Sequence, residues 1–408
     1  MEAEKTDQPP WLSAELFPPK PTAAPFGVIG NKGKVSEFSS LEELAEFVGA
    51  ARNPVAAIWT PDSERTTPME AEQRLVEALR KRNRRIAEVD FSNARRSGFI
   101  FGVVFLWALV AAWLNRGKAP ILENQQLGLA ALLLFWLALI PLYEAIKLRR
   151  EAARLNAAEM DATAREARFE FWLTLQKMPF TMVLLAMLAA TASAQIALGW
   201  SIDWFPSCIK AGILKTDFVV DGELIYEGGY RNGEYWRLWT GALLHGNPVH
   251  LAMNGFALWY LGRRAESLAR WPHLVMAYLA AMWVGGVASI YLLPDKLSVG
   301  ASGGIMGLLG FLLVFETLHA KLVPRRARKR LAFAVVIIFL IGAVGWSFID
   351  NAAHAGGMLA GMIYAVVVFP KSSSAHRPNS TRLDIVLGWG GLVILTASVL
   401  LALWKIFA

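Results

Sequence analysis

Apolar runs of transmembrane length recur along the chain, and charge is concentrated in the links between them. Nine runs can be delimited: 98–114, 126–147, 179–200, 239–262, 273–293, 302–320, 331–348, 352–369 and 385–406. About 20 apolar residues are needed to cross about 30 Å of hydrocarbon. In lipid every backbone N–H must be paired, so each run predicts a membrane-spanning helix. The polar remainder falls into distinct pieces. Residues 1–25 are Pro-rich and predict a flexible tail. Residues 26–97 predict a small α/β unit with a linker helix. In it Ser40-x-x-Glu43 reads as a capping box for a helix that stops near Gly49, and Pro54–Trp59 as a strand. Thr67-Pro68-Met69-Glu70 combines a cap, an N1 proline and a capping-box acid at the start of a longer helix. Residues 98–147 carry two spans. Residues 148–178 are charged, Ala-rich and amphipathic, which predicts a helix on the inner membrane surface. Residues 179–370 carry six spans, and residues 371–408 a link and the ninth. A long segment, 201–238, separates spans three and four and holds Trp204 and Trp236; loops of that length are usually functional.

Composition agrees with the runs. Of 408 residues, 55% are hydrophobic and 18% charged, against about 45–50% and about 25% in soluble proteins. An ordinary soluble enzyme and a disordered chain are excluded. Cys208 is the only cysteine, which excludes an intrachain disulfide framework and any Cys-rich metal site.

The net charge of +8 acquires meaning from its placement. Cations gather before span one (Lys81, Arg82, Arg84, Arg85, Arg95, Arg96) and between spans two and three (Lys147, Arg149, Arg150, Arg154). They recur after span four (Arg263, Arg264, Arg270), after span six (Arg325, Arg326, Arg328) and after span eight (Lys371, Arg377, Arg382). These are alternate links. The link with Arg116 and Lys118 and the link Pro294–Ala301 are poor in charge. By the positive-inside rule the N-terminus is cytoplasmic and the C-terminus external. The cations are scattered without aromatic interleaving, so no nucleic-acid partner is expected. Met1–Gln8 is acidic and polar, unlike a signal peptide, and a bacterial inner membrane is the expected location.

Polar residues inside apolar spans are the most informative. His273, His319 and His376 fall at cytoplasmic ends, where solvation or snorkelling explains them. His245, His250 and His354 fall near external ends. His250 and Asn254, four apart, share a helix face and offer two donors at one point; an interhelical polar contact explains them equally. Ser302 follows Gly300 and precedes Gly303 at the start of span six, where free N–H groups and the positive dipole end gather; a serine N-cap is the plain alternative. Gly303 and Gly307 form one GxxxG face, Gly357 and Gly361 another. If these faces pack, Ser302 and His354 meet at about the same depth. A hydroxyl beside an imidazole is a nucleophile with its general base. His250 and Asn254 then become donors for the oxyanion of acyl transfer.

At these residues the sequence resembles the rhomboid intramembrane serine proteases. The resemblance covers residues 179–370 and rests on Trp236-Arg237, His250-x-x-x-Asn254, Gly300-x-Ser302-Gly303 and His354-x-x-Gly357-x-x-x-Gly361. It implies an all-α polytopic fold with a rhomboid-like six-helix core, flanked here by two extra N-terminal helices and one extra C-terminal helix. It implies Ser302 as nucleophile and His354 as base of a Ser–His dyad. His250, Asn254 and the Ser302 N–H would stabilise the oxyanion. Trp236 and Arg237 would anchor the long loop at the membrane interface. Its substrates would be transmembrane proteins, cleaved in or near their spans, with no cofactor and no metal. Two features depart from the family or bear on it. Met306 stands where many members carry an aromatic residue that stacks on the base. Asp350 precedes His354 by four and reads as a helix cap rather than a third catalytic member. The N-terminal unit carries no chemical motif and suggests docking of a cytoplasmic partner. The alternatives are a catalytically silent rhomboid-like binding protein, which would lack the serine or histidine present here, and a transporter, which would show repeated halves.

Overall fold

The computed structural model describes residues 7–30, 33–51, 55–117, 121, 124–199, 204–220, 223–293, 297–346 and 349–408. Residues 1–6, Pro54, Lys118, Trp200 and Pro294, used above, lie outside that set. The chain divides into two units. One comprises Gln8–Trp172 and Pro324–Ile349; the other comprises Asp7, Leu173–Val323 and Asp350–Ala408.

The first unit is built on a three-stranded antiparallel sheet in the order β2-β1-β3: β1 (Phe26–Gly30), β2 (Val35–Phe38) and β3 (Val55–Trp59). Val28 pairs with Ser36 on one side and Ile58 on the other. Val28 and Ile58 pack on Leu44 and Val48 of α1 (Leu41–Ala50), with Leu75, Leu79, Leu155 and Met160 completing the core. The Ser40 hydroxyl caps α1 at the Glu43 N–H (3.2 Å), but the Glu43 carboxylate returns to the Ser39 N–H (2.8 Å) rather than to Ser40. The Thr67 box does not form. Thr67 exchanges both backbone bonds with Ile58, extending the sheet, and its hydroxyl donates to the Pro68 carbonyl. Short 3-10 turns follow, and the long helix α2 starts at Val76 and runs unbroken to Leu114.

α3 (Gln125–Leu134) continues through a π-helical turn, Phe135–Leu139, into α4 (Ile140–Arg154). Pro141 follows that turn. It has no N–H to return to residue 137, and a π turn is one way for a helix to absorb a missing bond. α5 (Ala157–Leu175) packs against the N-terminal segment: Trp11 meets Phe169 edge-on, Phe17 stacks on Phe171, and Arg168 donates to the Ser13 carbonyl. Trp11 and Phe17 are buried, so this part of the Pro-rich segment is packed rather than loose. α12 (Arg325–Val344) belongs to this unit. Arg326 pairs with Glu159 and donates to Thr163 (2.8 Å), Arg330 pairs with Glu166 (2.8 Å), and Phe333 stacks on Tyr143.

The second unit contains α6 (Pro179–Gly199), α7 (Phe205–Ala211), a hairpin of β4 (Phe218–Val220) and β5 (Glu223–Tyr226), α8 (Arg237–Thr240) and α9 (Pro248–Ala269). α10 (Trp271–Leu292), α11 (Ser302–Leu318), α13 (Asn351–Val368) and α14 (Arg382–Phe407) complete it. Glu266 on α9 accepts from the Phe180 and Thr181 N–H groups, satisfying donors at the start of α6. Arg264 and Glu316 form a buried two-bond ion pair between α9 and α11 (2.5 and 2.9 Å). α11 and α13 touch backbone to backbone. A methyl group at Gly357 would overlap the Gly303 carbonyl, and one at Gly361 the Gly307 carbonyl.

Among the described residues six helical stretches are long and apolar enough to cross a bilayer: α2, the continuous α3–α4 helix, α6, α10, α13 and α14. α9, α11 and α12 cover the other three predicted spans but fall outside that group. α11 has 17 residues; α9 carries Arg263, Arg264 and Glu266 near its end; α12 opens on a run of cations. His273 and His319 are buried rather than solvated. His273 bonds the Tyr364 hydroxyl (3.0 Å) and His319 stacks on Phe315.

Candidate active site

The polar residues singled out above come from three helix starts and one loop. α9 begins just before His250: Asn247 is its N-cap and accepts from the His250 N–H (2.9 Å), with Pro248 at N1. That start sends His250 and Asn254, one turn apart, along the same face.

α11 begins at Ser302. Its N-cap is Ala301 and no side chain caps it, so the serine is the first helical residue rather than a cap. The turn before it depends on Gly300, whose φ of +124° suits only glycine and whose N–H donates to the Gly241 carbonyl (3.0 Å). A Cβ at Gly300 would lie 2.9 Å from His250 Nε2 and 3.4 Å from Asn254 Nδ2. The missing side chain thus lets both polar groups converge on the backbone two residues before Ser302.

α13 begins at Asn351, and His354 is in its first turn. Asp350 is the N-cap: it accepts from the Ala353 N–H (2.8 Å) and from the Ser289 and Ser298 hydroxyls (2.5 Å each). Its oxygens are therefore engaged in capping and in tying down neighbouring segments. Gly303 approaches Ala353, and both border Gly285 of α10. A Cβ at Gly285 would lie 2.7 Å from the Ala353 carbonyl oxygen and 3.5 Å from Gly303 Cα. Ser302 adjoins Gly303 in the chain and His354 adjoins Ala353, so this backbone contact lies one residue from each. A cavity of about 10 Å³, lined by Gly241, Ser298, Gly300, Gly303 and Ala353 among others, offers about the room one water needs. Met306 is buried.

The segment before α9 is more ordered than its sequence suggests. Arg237 is fully buried; its guanidinium donates to the Ile209 (3.0 Å) and Gly212 (2.6 Å) carbonyls and pairs with Glu234 (2.7 Å). Arg237 therefore staples the loop to itself. Trp236 lies beneath two cations, Arg237 and Lys405 of α14 (4.7 and 4.5 Å to the ring centre). Burial pushes the Glu234 carboxyl up. The Arg237 hydrogen bond and charge, the Gly229 N–H and the Tyr226 hydroxyl outweigh this and hold it below the ordinary carboxylate value. Among the described residues no group of three or more His, Cys, Asp or Glu side chains could hold a metal ion.

Sequence reasoning left His245 unassigned and missed Gln195. His245 is fully buried, its Nε2 is 3.1 Å from Asn254 Nδ2, and its ring meets that of His250 edge-on (5.1 Å between centroids). The only sequence signal was a third histidine near the same external end.

Residues 232–371 match the family model described as "Rhomboid domain". The rhomboid protease GluP of Bacillus subtilis (strain 168) is 36% identical over 190 residues, which cover 45% of this chain and 36% of that protein. The mitochondrial RHOMBOID-like protein 6 of Arabidopsis thaliana is 30% identical over 165 residues, 40% of this chain and 53% of that protein. The human inactive rhomboid protein 2 is also 30% identical over 165 residues, 39% of this chain and 19% of that protein. The chain thus spans about half or less of these curated relatives. With mostly helical architecture and six apolar helices of bilayer length among the described residues, the chain is an integral membrane protein, and its residues 232–371 match the rhomboid domain.

Proposed function

We propose that the rhomboid domain is an intramembrane serine endopeptidase that cleaves transmembrane proteins in or near their spans. The observation that carries this reading is the close backbone contact around Gly303 and Ala353, one residue from Ser302 and His354 respectively. In the proposed reaction Ser302 Oγ attacks the scissile carbonyl while His354 takes its proton. The oxyanion that forms is held by the Ser302 N–H and by His250 and Asn254, whose polar atoms converge beside Gly300. His354 returns the proton to the leaving amine, and water hydrolyses the acyl-enzyme with His354 again as base. Glycines at 300, 303, 307, 357 and 361 allow the close approach on which this geometry depends, and Arg237 with Trp236 holds the loop beside it. The charge placement supports an N-terminus in the cytoplasm and a site open to the outside.

The similarity to an inactive rhomboid protein favours a second reading, a silent domain that binds membrane proteins without cutting them. Cleavage of a defined single-span substrate in lipid vesicles separates the two. Ser302→Ala and His354→Ala are each expected to abolish cleavage while the protein stays folded. Cleavage retained in either variant removes the dyad, and substrate binding without cleavage by the wild type establishes the silent reading.

A further inference from the structure

We propose that His245 is a positioning residue that sets the orientation of the Asn254 amide; this rests on the protease reading above. An asparagine amide has two nearly isosteric orientations, and only one presents donors. An oxyanion needs Nδ2 turned toward it; a flipped amide would present Oδ1 and repel it. What surrounds Asn254 decides between them.

His245 Nε2 lies 3.1 Å from Asn254 Nδ2. The amide nitrogen has hydrogens and no lone pair to share, so Nε2 is the acceptor and the ring proton sits on Nδ1. In that tautomer a flipped amide would set Oδ1 against the Nε2 lone pair, acceptor against acceptor. One Nδ2 hydrogen is thereby committed to His245. The other is left for the space beside Gly300, which faces both Asn254 Nδ2 and His250 Nε2.

The imidazole can impose this only if the residue that carries it is held in place, and α6 holds its backbone. Gln195 accepts from the His245 N–H (3.1 Å) and donates to the His245 carbonyl (2.9 Å), gripping its backbone from both sides. The Gln195 amide also donates to Ser207 of α7 (2.9 Å), and Thr191, one turn earlier on α6, donates to the Leu243 carbonyl (2.7 Å). His245 and Gln195 are both buried. Among the described residues His245 Nδ1 has no hydrogen-bond partner, so the Asn254 contact is the ring's one protein hydrogen bond.

The test is a double-mutant cycle on cleavage of a single-span substrate in vesicles, with folding followed by thermal midpoint. His245→Phe keeps a ring and removes the acceptor. Deleting one oxyanion donor in a soluble serine protease costs about 10²–10³ in kcat; leaving the donor present but free to flip should cost about tenfold here, with KM unchanged. In an Asn254→Ala background His245→Phe should add less than about twofold. His245→Gln, whose Oε1 reaches the place of Nε2, should restore most of the rate; His245→Asn, whose amide reaches only the place of Nδ1, should not. Full additivity with Asn254→Ala, or equal rates for the Gln and Asn variants, overturns the proposal, and the Gln–Asn comparison stands even if the Phe variant fails to fold. Cleavage by Ser302→Ala would instead overturn the protease reading, and an unchanged rate for Asn254→Ala would overturn the oxyanion role.

Discussion

Gly357→Ala is the smallest perturbation that probes how α11 and α13 set the distance between Ser302 and His354. The added methyl would meet Gly303 from three sides: it overlaps the carbonyl oxygen, and lies 2.8 Å from the carbonyl carbon and 3.2 Å from Cα. The carbon alone must retreat from 2.8 Å to the 3.4 Å of ordinary contact. The oxygen is nearer still, and backbone in a helix cannot rotate away as a side chain can. The helices must therefore part by about 1 Å, a displacement that costs about 10²-fold when it separates reacting groups. Overpacking of this kind also costs about 1–3 kcal/mol of stability. The assay is kcat/KM on a single-span substrate, with the thermal midpoint measured on the same preparation. Gly390→Ala is the control, since a Cβ there meets nothing within 4 Å; it should leave activity unchanged and stability equal or slightly higher. Wild-type turnover by Gly357→Ala would refute the backbone contact as the device that brings serine and histidine together.

Three further outcomes follow from the loop and the last helix. Arg237→Ala removes a buried guanidinium from two carbonyls and Glu234 and should destabilise the second unit by about 3 kcal/mol, seen as a lower thermal midpoint and faster proteolysis between residues 213 and 236. The Glu234 carboxyl is held below its ordinary value, so its contribution is present above the unfolded-state pKa and lost as pH falls through the lower folded value; the protection of residues 226–237 against hydrogen exchange, relative to the intrinsic rate at each pH, should fall in acid, and Glu234→Gln should flatten that dependence. Ile406→Ala should cost about 2–5 kcal/mol, because this fully buried side chain packs on Ala194, Ala211 and Leu244, and an unchanged thermal midpoint would show that α14 does not support the loop.

Much of this was legible in the sequence because lipid leaves the chain few choices. The apolar runs, the two GxxxG faces and the four-residue step from His250 to Asn254 are all local patterns. The misreadings share one cause, a tertiary partner that local pattern does not reveal. Thr67 looked like a cap, but its backbone is taken by Ile58. The sequence of α5 gives no sign that Trp11 and Phe17 pack on its Phe169 and Phe171. The partners of Arg237 were equally hidden, because its guanidinium donates to carbonyls 25 and 28 residues away. His245 stood unassigned because the group that fixes it, Gln195, is 50 residues distant.

In the proposed mechanism Ser302 is a nucleophile activated by His354. Mass spectrometry of the intact protein after treatment with a fluorophosphonate reads this directly. A single phosphonyl adduct on Ser302 is expected in the wild type, and its loss in Ser302→Ala and in folded His354→Ala. An unmodified Ser302, or labelling that is indifferent to His354, would contradict it.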